Sequence, residues 1–354
     1  MSAPVSVLHV LGSGERHAAG LATTVSHLAE NLNREKWRIG AVFLRDDGPV
    51  GASLRKSDVI VEAADWTSGL RDIGGLRRFA RTVRTFAPQI VHFHAGGRAA
   101  RIVARSASRA KTIAHYHSLY EESGSRRERS AAGADVVIAN SRATAETVTR
   151  TSPMVVYQGV NVGPRVPRKA DGIFRIGTAA RLATVKGIPT LLKAFALARE
   201  ATAGQALEVR LDIAGDGPER RALEEEILAL GLTDSVRLLG WRDDVPRLMQ
   251  TWDLYVQPSS AEGFGLSVLE AMAAGLPVVA SRVGGLAELV EDRVTGMLIE
   301  PRDAVAMGDA IGGLIPDPRR CALMGARGRE RAMRYFSIER EVRSIREIYE
   351  RLLA

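Results

Sequence analysis

The sequence lacks two features that mark whole classes of protein: paired cysteines and long apolar runs. Cys321 is the one cysteine among 354 residues, so the chain forms no internal disulfide, as is typical of a reducing compartment. No apolar stretch reaches the roughly 18 to 20 residues that a membrane-spanning helix needs. The segment Met1–Leu11 has no basic residues ahead of its short apolar run, so we expect no signal peptide. These absences predict a cytoplasmic protein.

Positive charge is in excess, and the excess lies in the first half of the chain. The formal net charge is +8. Residues 1–165 contain 23 Lys and Arg against 14 Asp and Glu, whereas the remainder contains 26 against 27. Such a surface attracts anionic partners, which favours an anionic acceptor or peripheral attachment at the inner membrane face. A solvated, Arg-rich surface is the alternative. We expect no nucleic acid partner, because basic segments interleaved with aromatics and zinc-finger spacings are absent.

Apolar runs typical of strands alternate with helical patterns along the whole chain. One series starts with the run at residues 5–11, and a second starts with the run at residues 174–178. Between them, Gly163–Gly172 is rich in glycine and proline and has no apolar periodicity, which indicates a linker. The alternation predicts an α/β protein with two doubly wound, Rossmann-like domains. The predicted parts are residues 1–165, residues 166–335 and a closing helix at 336–354.

The most informative motif, EGFGLSVLEAMAAGLPVVAS, begins at Glu262. Gly263 and Gly265 allow the backbone to approach a ligand closely, and a helix is predicted from Leu266. Glu262 then lies in a loop at the carboxyl edge of the sheet, and Glu270 lies in the helix that follows. The first amides of that helix are unpaired and suit negative charge or hydroxyls. Carboxylates accept hydrogen bonds from sugar and ribose hydroxyls.

Two cations follow the first predicted strand of the second domain. Arg181 and Lys186 stand in the segment RLATVKG, directly before a helix that begins near Pro189. Cations beside a helix start suit a diphosphate, through charge-assisted hydrogen bonds and the helix dipole. When a diphosphate departs from a sugar its negative charge grows, so cations placed there stabilise the transition state more than the ground state.

Together these motifs resemble the signature of the family 4 retaining glycosyltransferases of the GT-B fold. The resemblance is detailed over residues 174–305 and loose over the first domain. It implies two Rossmann-like domains facing a cleft, with the last helix crossing back to the first domain. It also implies that Glu262 contacts hydroxyls of the donor sugar, that Glu270 binds the ribose, and that Arg181 and Lys186 bind the diphosphate.

Weaker matches complete the predicted site. Family members usually have two adjacent glycines, with a glutamate soon after, where the first helix opens. This chain keeps one glycine, Gly20, and departs from the pattern at Ala19 and Ala22. The amide of Gly14 is a further candidate for phosphate contact. The resemblance implies that His117 lines the sugar pocket, with its backbone carbonyl near the anomeric carbon. The remaining positions implied to hold the nucleotide sugar are Gly215, Trp241, Arg242, Gly263, Phe264, Gly265 and Leu266.

Two His-x-His pairs, His92/His94 and His115/His117, end predicted strands, and alternation places both members of a pair on one face. Histidine is a common metal ligand. No carboxylate lies close by in sequence to complete a ligand set, and GT-B enzymes generally need no metal. We therefore expect no metal and no cofactor beyond the nucleotide-sugar substrate. His94 and His115 are also compatible with ordinary cleft or core positions.

The function that follows is transfer, with retention, of a hexosyl-type sugar from a UDP- or GDP-sugar to a hydroxyl of a glycan, lipid-linked or small-molecule acceptor. One alternative is a sugar-nucleotide epimerase of the same fold, although such enzymes lack the glutamate motif. A second is a glycoside hydrolase that uses Glu262 and Glu270, which leaves Arg181 and Lys186 without a role. A third is a catalytically silent subunit.

Overall fold

The computed structural model describes residues 3–15, 19–66, 72–95, 97–118, 133–148, 151–164, 171–204 and 207–354. The chain divides into two compact units, Met1–Gly159 with Ile338–Ala354, and Val160–Ser337. The boundaries expected from sequence were 165/166 and 335/336. Most of the expected linker, residues 165–170, lies outside the described residues.

The first unit is built on one parallel sheet. Its strands are β1 Val5–Leu11, β2 Trp37–Phe43, β3 Ile60–Ala63, β4 Ile90–Phe93, β5 Lys111–Tyr116, β6 Val136–Ala139 and β7 Met154–Val155. Its helices are α1 Ala19–Asn31, α2 Gly48–Lys56, α3 Ile73–Phe86, α4 Gly97–Ala107 and α5 Arg142–Glu146. The strand order is β3-β2-β1-β4-β5-β6-β7, so the direction of winding reverses between β1 and β4.

The second unit repeats this plan. Its strands are β8 Ile173–Ala179, β9 Glu208–Ala214, β10 Val236–Gly240, β11 Leu254–Gln257, β12 Val278–Ser281 and β13 Gly296–Ile299. Its helices are α6 Ile188–Ala201, α7 Arg220–Ala229, α8 Val245–Met249, α9 Leu266–Ala273, α10 Leu286–Leu289, α11 Ala304–Leu314 and α12 Pro318–Tyr335. The order β10-β9-β8-β11-β12-β13 reverses between β8 and β11. The prediction of two doubly wound parallel sheets is confirmed.

Strands and helices form where the sequence pattern places them, for local reasons. Central strands such as β4 are buried at every residue, as expected for parallel strands covered on both faces. Asp72 caps the start of helix α3, because its side chain accepts a hydrogen bond from the Gly75 amide at 2.8 Å. Ala87 caps the other end: it has the left-handed conformation common after helices, and it precedes Pro88.

The last helix of the chain, α13 Ile338–Leu353, belongs to the first unit. Val342, Ile345 and Tyr349 enter the core formed with β1, α1 and α2. The buried Glu341 carboxylate accepts a hydrogen bond from Thr24 Oγ1 at 2.7 Å and lies 2.6 Å from His27 Nδ1. Charge-assisted bonds of this kind fasten the helix to α1 as well as burying its apolar face.

Helical spacing predicts two outward-facing stripes of arginine, and the structure departs from this prediction. The predicted stripes are Arg77, Arg78, Arg81 and Arg84 on α3 and Arg98, Arg101, Arg105 and Arg109 on the helical pattern that follows. Arg77, Arg81 and Arg84 are exposed on α3. Arg101 of α4, which helical spacing places with the outward arginines, is buried instead, with its guanidinium 6.0 Å from the centre of the Phe93 ring. Among the helices in the described ranges, none combines the length and the apolar character that crossing a bilayer requires.

Candidate functional site

In the second unit, three of the predicted charged residues lie on loops that follow two neighbouring strands, where the winding of the sheet reverses. Strands β8 and β11 are these neighbours; the loop after β8 carries Arg181 and Lys186, and the loop after β11 carries Glu262. Gly215 follows β9 instead, and Trp241 and Arg242 follow β10. Lys186 lies in a short 3-10 turn, Thr184–Lys186, after β8, and Glu262 lies in the loop after β11. Doubly wound sheets bind ligands at this kind of reversal, because the loops on either side diverge and leave a crevice.

A line of hydrogen bonds connects the core of this unit to its candidate site. Tyr255 Oη donates to Gln257 Oε1 at 2.9 Å, and Gln257 Nε2 donates to Ser259 Oγ at 2.8 Å. Ser259 Oγ donates to Glu262 Oε2 at 3.3 Å, and Lys186 Nζ donates to the same oxygen at 2.6 Å. The structure thus brings Lys186 and Glu262 into a direct ion pair, which is oriented from beneath by buried polar groups.

The two loops that carry this ion pair are tied to each other by backbone contacts. The Ser260 amide donates to the Val185 carbonyl at 2.8 Å. Gly187 has a φ of +66°, and a Cβ atom there would lie 2.2 Å from the Pro258 carbonyl oxygen. Glycine is therefore required immediately after Lys186, both for its backbone conformation and for the close approach of the neighbouring loop.

Arg181 stands at the mouth of β8, on a loop held by the turn after β9. Ala180 N donates to Ala214 O and Leu182 N donates to Asp216 O, each at 3.0 Å. A Cβ atom at Gly215 would lie 1.9 Å from the Ala180 carbonyl oxygen, which explains the glycine at that position. The Arg181 side chain is exposed, and no other part of the described chain forms an ion pair or hydrogen bond with it.

Glu270 lies partly buried in α9, and burial raises the pKa of its carboxyl group to about 7. No ion pair with another described residue offsets that burial. One turn earlier, Ser267 Oγ donates to Gln257 Oε1 at 3.3 Å, so α9 joins the same polar line that ends at Glu262. A carboxyl group in this setting gains stability from any ligand that donates hydrogen bonds to it.

The segment between Glu262 and α9 has a mixed role. Phe264 is buried and packs against Phe336, with ring centres 6.0 Å apart, so its side chain serves the core. Gly263 and Gly265 are also buried, and Gly265 immediately precedes the helix. Leu266 is the first residue of α9, where amides have no acceptor within the helix. The amides of Gly265 and Leu266, rather than the Phe264 ring, are the groups of this segment that suit a ligand.

Trp241 and Arg242 lie after β10, at a greater chain distance from the ion pair. Trp241 is 38% exposed, and its indole Nε1 donates to Asp243 at 2.9 Å. Arg242 makes two hydrogen bonds of 2.7 Å to Asp244, and the guanidinium lowers the pKa of that carboxyl. Because Arg242 already has an acid partner, its side chain is less available to a nucleotide than the exposed Trp241 ring.

Of the two glycines predicted for phosphate contact in the first unit, Gly14 has its amide engaged elsewhere. It donates to the Asp46 carbonyl at 2.7 Å, and a Cβ atom there would lie 1.8 Å from the Asp47 carbonyl oxygen. This glycine serves the packing of one loop against another. Gly20 is the second residue of α1, and its amide is one of the first four that have no acceptor within the helix.

His117 directly follows β5 and is buried with four other histidines. His9 of β1 pairs in register with His92 of β4, and His94 and His115 complete the group. Ring nitrogens of two triplets, His9/His92/His94 and His94/His115/His117, lie within 4.8 Å of one another. The two His-x-His pairs therefore meet in space, although the expectation that they hold no metal stays a prediction. The carbonyl of His117 accepts a hydrogen bond from Asn140 Nδ2 at 2.8 Å.

Sequence reasoning missed several of these residues. Tyr255 and Gln257 stand on one face of β11, and Ser259 follows two residues after Gln257, so this spacing is a signal in the sequence that the three act together. His9 had no such signal, because it stands 83 residues before His92 and meets it only through the pairing of β1 with β4.

Two family models match the chain in tandem. Residues 18–163 match the model described as Glycosyltransferase Family 4, and residues 164–331 match Glycosyl transferases group 1. The chain belongs to the family 4 glycosyltransferases. A solved structure of Anabaena Alr3699/HepE in complex with UDP and glucose superposes with a TM-score of 0.82 and 25% identity, covering 97% of this chain and 99% of that one. The predicted GT-B fold is thereby confirmed.

Two relatives of this chain carry the names of different glycosyltransferases. A D-inositol 3-phosphate glycosyltransferase from Salinispora tropica is 38% identical over 184 residues, which are 50% of this chain and 38% of the relative. The lipopolysaccharide core biosynthesis mannosyltransferase LpsB from Rhizobium meliloti is 41% identical over 133 residues, 37% of this chain and 38% of the relative. The matched segments thus span well under half the length of these two family members.

Proposed function

We propose that this chain transfers a hexosyl-type sugar, with retention, from a nucleotide-diphosphate donor to an acceptor hydroxyl. The observation that carries the proposal is the Lys186–Glu262 ion pair, 2.6 Å long, held by two tied loops where the second sheet reverses its winding. Family membership and the presence of UDP and glucose in the Anabaena structure support a sugar-nucleotide ligand for this kind of site.

In the proposed mechanism each charged side chain has one task. Glu270 accepts hydrogen bonds from the ribose hydroxyls, and Glu262 accepts them from the donor sugar. A diphosphate competes with Glu262 for Lys186 and also attracts the unpaired Arg181. As the bond to the sugar lengthens, negative charge grows on the diphosphate, and the two cations stabilise it. The acceptor hydroxyl then attacks from the face that the diphosphate leaves.

The reaction is proposed to need no metal ion. Magnesium commonly neutralises a diphosphate leaving group in phosphate chemistry, and in this proposal Lys186 and Arg181 would supply the same charge. Transfer activity that persists after treatment with EDTA would support this part of the proposal. Activity that returns only when a divalent ion is added would contradict it.

The first unit is proposed to receive the acceptor, a glycan, lipid-linked or small hydroxyl compound, and to meet an anionic membrane surface. Its support is the excess of basic residues in the first 165 positions. Some of these basic residues are already engaged and are weaker candidates for binding an anionic partner: Arg78 donates to the Ala64 carbonyl, and Arg105 pairs with Asp135. Arg77, Arg81 and Arg84 of α3 remain exposed without ion pairs within the described ranges. Vesicles with and without anionic lipid, compared at low salt, test the membrane part.

Binding of UDP-, GDP-, ADP- and TDP-sugars, followed by product analysis, tests the donor part. We expect one nucleotide to bind preferentially and its sugar to appear on an acceptor with the donor's anomeric configuration. Free sugar-nucleotide interconverted at C2 would instead identify an epimerase. Cleavage of simple glycosides without any use of nucleotide sugars would identify a hydrolase.

A further inference from the structure

Five of the buried histidines of the first unit, His9, His92, His94, His115 and His117, form two rows of hydrogen-bonded imidazole rings. In the first row, here called the three-ring chain, His9 Nδ1 lies 2.9 Å from His94 Nε2, and His94 Nδ1 lies 2.8 Å from His117 Nε2. The ring centres are 5.2 and 5.0 Å apart, and the planes differ by 22° and 30°. Rings this nearly parallel, with nitrogens in hydrogen-bond contact, meet edge to edge and share a proton at each contact.

The second row, here called the two-ring chain, stacks on the first. His92 Nε2 lies 3.2 Å from His115 Nδ1, and His92 Nδ1 lies 2.7 Å from the Tyr349 hydroxyl. The His92 and His94 rings stack with centres 4.5 Å apart and planes 16° apart. Each row has its own hydrogen bonds, so a substitution that opens one row leaves the bonds of the other in place.

Counting protons shows that the three-ring chain acts as a unit. A neutral imidazole has one N–H and one bare nitrogen. If His9 donates from Nδ1, His94 accepts at Nε2 and must carry its own proton on Nδ1, and His117 follows the same pattern. In the reverse arrangement all three carry the proton on Nε2. A mixed arrangement sets two bare nitrogens, or two N–H groups, face to face at less than 3 Å.

The surroundings keep these rings neutral. Burial lowers the pKa of His9 and of His117 to about 3. For His94, burial and then the charges of the neighbouring histidines hold the pKa well below the usual value of 6.5. Near neutral pH the row therefore carries three protons for two shared contacts, and the third proton lies at one of its two ends.

The two ends of the three-ring chain are His9 Nε2 and His117 Nδ1. Neither buried nitrogen has a hydrogen-bond partner among the described residues. One of them must be an N–H donor and the other a bare acceptor, and the choice is made for the whole row at once. Unpaired buried polar atoms are costly, so a ligand group that reached the His117 end, whose Nδ1 is shielded from solvent in this structure, would be bound favourably.

We propose that His9 and His94 are positioning residues that fix the tautomer of His117 through this chain, and so decide whether its Nδ1 donates to or accepts from a ligand hydroxyl. Only the identity of that hydroxyl, as one of the donor sugar or of the acceptor, rests on the proposed function. The coupling between His9 and His117 is a property of the folded chain and is measurable without substrate.

A metal ion at these nitrogens is the competing use of the cluster. A divalent ion between His9 and His94 would replace the proton that they share. Neutral imidazoles also bring no charge to offset that of the ion in a fully buried site. Near-parallel rings in contact at 2.8 to 2.9 Å suit shared protons better than ligands that converge on one ion.

Long-range ¹H–¹⁵N correlation spectra of the protein labelled in histidine test the proposal. Protonated and bare ring nitrogens are well separated in such spectra, and the chain has seven histidines to assign. We expect His9, His94 and His117 to share one tautomer in the unaltered protein. In His9→Leu, which cannot bond to His94, we expect the nitrogen shifts of His117 to change. His9→Asn is smaller than histidine but keeps an amide near the Nδ1 position that can bond to His94 again, so the shifts should return toward the original values.

Tyr349→Phe is the matched control, because it removes the hydrogen bond at the His92 end of the two-ring chain and none in the three-ring chain. It should alter the shifts of His92 and leave the shared tautomer of the three-ring chain unchanged. Mixed tautomers among His9, His94 and His117 in the unaltered protein would overturn the proposal even if every variant failed to fold. Unchanged His117 shifts in a folded His9→Leu, or a stoichiometric metal ion bound through His94, would overturn it too. Absence of transferase activity would affect only the proposed function.

Discussion

The two units of this chain use polar residues in opposite ways at equivalent places in their sheets. In the second unit, Lys186 and Glu262 are charged, lie on loops beyond the strands and are partly exposed. In the first unit, His9 and His92 are neutral, lie within β1 and β4 and are buried. Both groups stand where the winding reverses. Loop charges can bind an anion from solvent, whereas buried imidazoles depend on the fold that surrounds them.

Acid should destabilise the first unit and not the second, and we expect this difference in stability to be the largest effect. All seven histidines lie within the first 117 residues. The pKa of His9 and of His117 falls from 6.5 to about 3 on burial, so the unfolded state binds more protons between those values. Stability is therefore complete above about pH 6.5 and is lost as pH falls. Between pH 7 and pH 5.5, each histidine that stays neutral should lower the free energy of unfolding by about 1 kcal/mol. For the five histidines of the two rows the loss is about 5 kcal/mol.

Amide hydrogen exchange, corrected for intrinsic rates at each pH, measures this difference. Protection of β1, β4 and β5 should fall at pH 5.5, while that of β8 and β11 should not. In the second unit the raised pKa of Glu270 has the opposite effect on stability. Burial disfavours the ionised carboxyl group, so its protonation in acid stabilises the folded state. An equal loss of protection in both units would contradict the comparison.

Removal of a loop charge should abolish most catalysis without unfolding the chain. Lys186→Ala should lower kcat/KM by roughly 30- to 900-fold, or about 2 to 4 kcal/mol, because it removes a cation from the leaving group. Lys193→Ala is the matched control, since that side chain is 60% exposed on α6 and lies 4.0 Å from Glu226. Initial rates with the preferred donor decide the matter. Equal kcat/KM in the two variants would remove Lys186 from the mechanism.

The stability of the second unit should depend on close packing in β8, the strand that leads to the loop of Lys186. A Cβ atom at Gly177 of β8 would lie 1.9 Å from the buried Trp252 ring. Gly177→Ala should therefore lower the free energy of unfolding by about 1 to 3 kcal/mol through overpacking. Gly313→Ala, in α11 with no neighbouring atom within 4 Å, should raise it by about 0.5 to 1 kcal/mol. Denaturant titration compares them, and a tolerated Gly177→Ala would show that β8 adjusts easily.

Donor binding should carry a smaller pH dependence of its own. The pKa of Glu270 is raised to about 7, so the ribose-binding carboxylate is lost as pH falls through neutrality. We expect the affinity for UDP-glucose to weaken by up to about tenfold per pH unit below 7. The measurement uses the sugar nucleotide and not free UDP, because the terminal phosphate of free UDP itself titrates at about pH 6. Glu270→Gln should bind weakly at every pH, and a slope retained in that variant would assign the titration to another group.

Much of the fold followed from periodicity, and the exceptions have physical causes. The strand Val5–Leu11 has the bounds that its apolar run predicts, and β8, Ile173–Ala179, extends one residue beyond each end of the run at residues 174–178. The two-residue β7 had no periodic signal, because it is too short to show alternation. Arg101 was placed wrongly, because helical spacing alone does not show that an arginine can stack on a core ring.

The candidate functional residues of the second unit could be predicted from the sequence, whereas the histidine row of the first unit could not. Lys186, Glu262 and Glu270 stand in contiguous motifs, so one stretch of sequence carries both the residue and its loop. The His9–His94–His117 row joins three strands that are far apart along the chain, and only the pairing of those strands brings it together. Residues that act through the core are therefore harder to find in one sequence than residues that act from a loop.

Calorimetric titration with the preferred sugar nucleotide at pH 8 is the most direct test of the donor site. We expect binding at one site in the unaltered protein and at least about tenfold weaker binding in both Lys186→Ala and Glu270→Gln. Equal affinity in all three proteins would show that the nucleotide sugar binds somewhere else, and the assignment of the second unit would be wrong.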